Sequence, residues 1–168
     1  MTRAKDARFV KAANTQTPVS SSQRELERIL RRYGATGLTL SSDWSAQLAR
    51  IAFRVPDSPA PDAVIVPVRL EVSMRGIADA LGYYRNGRIP TQHGWEQVER
   101  VAWRHLVLWV DAACSAAGAG LQTMSEAFLA HMLVRAPDGE IKKVSAMLDE
   151  AAAAQGGSGY RALLPATT

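Results

Sequence analysis

The sequence has a single cysteine, Cys114, so no disulfide can form within the chain, and a reducing compartment suits it. Metal-ligand spacing is missing too. His93, His105 and His131 are scattered, with no HxxxH, HExxH or CxxC among them. Neither GxSxG nor the phosphate-cradling patterns GxxxxGK(S/T) and GxGxxG occur, so nothing points to serine-nucleophile or phosphate-loop chemistry. Long apolar runs are lacking as well. The most apolar stretch, 101–119, contains Arg104, His105 and Asp111 and fades into Ala, Ser and Gly. A membrane span needs roughly 20 apolar residues, so a buried helix fits better. Residues 1–13 are basic and polar, without the apolar centre of a signal peptide. No membrane partner, cofactor, metal or catalytic residue is therefore assigned.

What is present reads as one folded domain. Of the 168 residues 47% are hydrophobic and 21% charged, which argues against disorder and is short for two cores. Residues 1–19 lack a sustained period and end in Thr17-Pro18, so they read as a flexible basic arm. A helix follows, with Leu26, Ile29, Leu30 and Tyr33 at i, i+3, i+4, i+7 spacing. Ser22 with Glu25 predicts its capping box, and Gly34 its stop. Arg24, Arg28 and Arg31 fall opposite the apolar stripe.

Three strands come next. Leu38 and Leu40 alternate with Thr39 and Ser41, and Ile51, Phe53 and Val55 alternate with Arg50, Ala52 and Arg54. In 63–72, Val64, Val66, Val68, Leu70 and Val72 share a face, and Pro67 predicts an edge strand or a bulge. Short connections imply an antiparallel meander with one covered face. Residues 73–94 read as a long loop containing at most one helical turn at 77–81.

Trp95 to Ala117 predicts a core helix apolar nearly all round. Thr123 with Glu126 marks a second capping box, opening a short helix with Phe128, Leu129, Met132 and Leu133. Pro137-Asp138-Gly139 is a tight turn, and a last helix runs through Val144, Met147 and Leu148 to Gln155. The expectation is a single α+β domain over 20–155, with a flexible tail at 156–168. Its N-terminal helix precedes a three-stranded antiparallel sheet packed by a long apolar helix, and two further short helices complete it.

Glu96, Glu99 and Asp43 are the candidates for acid–base work, but at helical spacing the glutamates read more simply as ion pairs with Arg100 and Arg104. Basic and aromatic residues make the stronger set. Arg24, Arg28, Arg31 and Arg32 lie on the first helix, and Tyr83, Tyr84, Arg85 and Arg88 in the loop. Guanidinium groups there would contact phosphates while phenol rings stack on bases. Residues 1–35 carry eight basic and three acidic side chains, leaving the rest of the chain at −1. The positive charge marks one end of the sequence.

Several pieces in order carry a resemblance: VSSSQRELERILRRYGA, LARIAFRV, Ala102-Trp103-Arg104 in the long helix, FLAHMLVRAPDG and the terminal ALLPA. From about Pro18 to Pro165 the chain resembles a family of small phage and prophage proteins of unassigned function. The resemblance implies an accessory gene product acting in the cytoplasm of a bacterial host, and it brings no catalytic residues. The predicted element order is also similar to the strand–strand–strand–helix unit of single-strand annealing proteins, in topology alone. The leading expectation is a non-enzymatic nucleic-acid-binding protein. The alternatives are an interaction module for a host or phage protein and an enzyme with an unrecognised site. The apolar edge Val64–Val72 and the ALLPA tail would both serve self-association, and the sequence leaves the oligomeric state open.

Overall fold

The computed structural model describes residues 10–83 and 92–154. It has the expected α+β architecture. Helix α1 (Val19–Arg32) leads into strands β1 (Thr36–Asp43), β2 (Leu48–Pro56) and β3 (Ile65–Ser73), an antiparallel sheet in the order β1-β2-β3. Next come α2 (Met74–Ala80) and α3 (Gln92–Gly118). The short α4 (Met124–Phe128), a 3-10 turn (Leu129–His131), strands β4 (Leu133–Arg135) and β5 (Ile141–Lys143), and α5 (Val144–Ala154) follow.

Period-two alternation sets the sheet. Ala49, Ile51, Phe53 and Val55 of β2 and Val66, Val68 and Leu70 of β3 are buried, while Arg50, Arg54 and Arg69 project from the other face. Phe53 pairs with Val68 and Arg54 with Pro67, in register throughout. Pro67 thus sits on an outer strand without a bulge. The one irregularity is on the other side, between Thr36 and Thr39, where Gly37 takes a φ of +62° that a β-carbon would strain.

Helix α3 packs on the buried sheet face, on α1, and on α2 and α4 at its flanks. Trp103 at its centre is fully buried, and its indole N–H donates to Ser42 Oγ at 3.2 Å, while that hydroxyl donates to Glu99 Oε1 at 2.6 Å. The chain ties α3 to β1 through a satisfied polar link inside an apolar layer. Phe128 anchors α4 beneath the sheet, edge-on to Phe53 at 5.4 Å and to Trp109 at 5.3 Å. One strip of α3, with Leu108, Trp109 and Ala112, stays exposed, so the helix is not apolar-buried all round.

Several local expectations are corrected. Helix α1 begins at Val19, not after Ser22, because the Pro18 carbonyl already accepts from the N–H groups of Ser21 and Ser22 at 3.0 and 3.1 Å. Ser22 therefore lies inside the helix on the face of Leu26 and Ile29, and its hydroxyl is buried without a partner. Part of the predicted loop is α2, capped by Ser73 Oγ accepting from the Gly76 N–H, with Met74, Ile77 and Ala78 buried. The helix expected through Leu133 stops at Phe128. Met132 turns extended, forms an isolated antiparallel bridge with Val68, and opens the β4–β5 hairpin around Gly139. The Thr123–Glu126 capping box is present with both of its hydrogen bonds.

Of the stretch read as a basic arm, residues 10–18 lie on α3. Gln97, buried in the helix, donates to the carbonyls of Ala13 and Thr15 at 2.9 and 3.2 Å, and the His105 ring meets the Lys11 carbonyl at 2.8 Å. Residues 1–9 and the tail from 155 onward lie outside the described residues. No helix among the described residues is long and apolar enough to cross a membrane.

Candidate nucleic-acid interface

The apolar period of α1 decides where its arginines go. With Ser22, Leu26, Ile29 and Leu30 turned inward, Arg24, Arg28, Arg31 and Arg32 are all exposed. Their spacing of four, three and one residues makes a row along about two turns of helix. Arg24 folds back on its own helix, donating to the Ser20 carbonyl at 3.3 Å and to Ser21 Oγ at 3.5 Å. Arg31 pairs with Glu27 at 2.6 Å. Arg28 and Arg32 make no ion pair among the described residues. Arg31 and Arg32 also stand in the last turn, where the helix dipole favours cations.

Arg32 continues into an open cleft of about 650 Å³ whose walls include Tyr33, Pro56, Asp57, Gly118 and Thr123. Hydrogen bonds from the Ser125 side chain and backbone hold the Asp57 carboxyl below its ordinary value. Asp57 is thereby committed to the start of α4.

Of the loop half of the expected site only Tyr83 is described, and it is not brought to this row. Tyr83 is partly exposed just after α2, which starts where the Met74 N–H donates to the Gln47 carbonyl at the β1–β2 turn. Helix α1 ends at the other end of the sheet, beside Pro56 and Gly118. Tyr84, Arg85 and Arg88 lie outside the described residues.

A different aromatic is exposed at the β1–β2 turn. Trp44, at the β1–β2 turn, is 53% exposed and stands edge-on to Trp95 at 6.0 Å. A large aromatic inside the polar run Ser41-Ser42-Asp43-Trp44-Ser45 was the sequence signal for it.

The outer sheet face is less free than its arginines suggest. Glu71 Oε1 accepts from Arg50 Nε at 2.8 Å and lies 3.8 Å from Arg69 Nε, while Lys143 of β5 donates to Oε2. Burial alone would raise the Glu71 carboxyl, but the Lys143 and Arg50 hydrogen bonds outweigh it and hold it below its ordinary value. Arg54 remains exposed on this face.

The acid–base candidates are occupied structurally. Asp43 accepts from the Ala46 N–H at 2.9 Å and from the Ser45 hydroxyl at 2.8 Å, which lowers its pKa and closes the turn. Glu99 is taken by Ser42, and Glu96 accepts from Gln92 at 3.3 Å. The expected Glu96 and Glu99 ion pairs are replaced: Arg100 donates to Gln97, and Arg104 reaches Glu25 of α1 at 2.5 Å. Glu99 and Arg104 thus find their partners on other elements, while Glu96 and Arg100 bond to neighbours on α3.

The Cys114 thiol is pushed up to about 12 by burial and by Asp111. His131 stacks edge-on to Trp109 at 5.2 Å, and burial together with Lys143 keeps its imidazole below the usual value. Among the described residues no group of three His, Cys, Asp or Glu is placed to hold a metal. Comparison with protein-family models, with curated proteins and with solved structures finds no match to this chain in any of the three.

Proposed function

We propose that the chain binds nucleic acid without catalysing a reaction, through the solvent face of α1, as an accessory protein of a phage or mobile element. The supporting observation is that four arginines on one short helix all face solvent, two of them without an ion pair or side-chain hydrogen bond among the described residues. Guanidinium groups arranged this way meet phosphate oxygens with little rearrangement and release condensed counterions. Contacts of this kind confer affinity and leave base sequence unread.

The test is a salt titration of binding to duplex and single-stranded DNA. One phosphate per arginine gives a log–log slope of about −3.6 on a duplex, or about 150-fold weaker binding at 200 mM than at 50 mM salt. Replacing Arg28 and Arg32 by alanine makes the slope shallower by about 1.8 and leaves the thermal midpoint unchanged. Absence of binding near 50 mM salt sinks the reading and turns attention to a protein partner.

A further inference from the structure

The two edges of the three-stranded sheet are treated differently. At the β3 edge the chain places Pro67, bridges Val68 to Met132 and lays the β4–β5 hairpin alongside. Such devices block strand addition. At the β1 edge none of them is present among the described residues. Among the described residues β1 pairs only with β2, its register is regular from Thr39 to Asp43 after the shift at Thr36–Thr39, and from Thr36 to Ser42 it carries no charged side chain. Beside it runs an open groove of about 490 Å³ between α1 and β1, lined by Leu30, Ala35, Leu38 and Leu40, with Glu27 and Arg31 from the helix.

We propose that this edge pairs antiparallel with β1 of a second copy of the same chain, joining two sheets into one of six strands. Two observations select a second copy as the occupant. The groove needs a strand with apolar side chains at every second position, and β1 itself has Leu38 and Leu40 facing the groove and Thr39 and Ser41 facing away. Pairing two copies would cover these half-buried leucines on both sides of the seam while the polar residues continue the outer face.

The second observation is charge. Glu27 and Arg31 sit one turn apart on the groove wall. A two-fold axis runs the two α1 helices in opposite directions, so an axis passing level with Ile29 brings Glu27 of each copy opposite Arg31 of the other. An isologous contact requires this kind of self-complementarity.

Light scattering and sedimentation across two decades of protein concentration test it. The expected result is a concentration-dependent mass of twice the chain. Thr39→Lys places like charges across the seam from an exposed position, and is expected to weaken the dimer at least tenfold with an unchanged circular dichroism spectrum. Glu27→Lys should weaken it as well, and Glu27→Lys combined with Arg31→Glu should restore it, because the reversed pair is again self-complementary. A monomer at every concentration overturns the proposal. So does a dimer indifferent to Thr39→Lys, or one that the double reversal fails to rescue.

Discussion

Glu71 offers a direct test of how the hairpin is held to the sheet. From β3 its carboxylate meets Arg50 on β2, Lys143 on β5 and, on its own strand, Arg69. The Glu71 and Lys143 side chains are only 22% and 17% exposed, so their pairing lies between the surface and buried regimes. Surface pairs contribute up to ~1 kcal/mol, and breaking a buried pair costs about 3–5 kcal/mol. Glu71→Gln keeps the shape but leaves three cations without their counter-charge, so a loss of about 2 kcal/mol is expected, or about 4–8 °C in thermal midpoint.

The pH dependence carries the sharper check. The Glu71 carboxyl has a lower pKa folded than unfolded, so its stabilisation is complete above the ordinary glutamate range. It is lost as pH falls through the lowered folded value. Urea unfolding of the wild type and the glutamine variant should therefore give a difference in stability that is larger at pH 7 than at pH 3. A difference under about 0.5 kcal/mol at neutral pH, or one of equal size at both pH values, would refute the electrostatic account.

Two further outcomes follow from the core. Ser22→Ala removes a buried hydroxyl that has no partner, and is expected to raise stability by about 0.5–1 kcal/mol in denaturant titrations, where a fall would mean the hydroxyl is satisfied. Cys114, fully buried with its thiol pushed up to about 12, should resist a disulfide exchange reagent in the native state and react only at the rate of unfolding. Rapid labelling without loss of structure would show that the end of α3 opens on its own.

The parts of the fold that were legible share one property: their pattern repeats. Leu26, Ile29 and Leu30 mark α1, and Ile51, Phe53 and Val55 mark β2, because each repeats the period of its element against one apolar layer. The arginine row was legible for the same reason, as the complement of that stripe. The three-residue strands β4 and β5 are too short for alternation to register, and Leu129 and Met132 at helical spacing imitated a continuing helix. Ser22 imitated a cap because its four-residue motif ignores where the preceding proline carbonyl points. Trp44 was overlooked as an isolated residue in a turn.

The sequence by itself determined the α+β class, the order of the major elements and the exposure of Arg24, Arg28, Arg31 and Arg32, since periodicity and composition are local properties. Only the tertiary structure decided which charges are spent and which stay free. Arg104 goes to Glu25 and Lys143 to Glu71, each partner more than seventy residues away. It also decided which sheet edge is covered and which is open, because Met132 reaches Val68 only once the chain has returned across the sheet. Side chains pair with what folding brings near, and spacing along the chain records only neighbours on the same element.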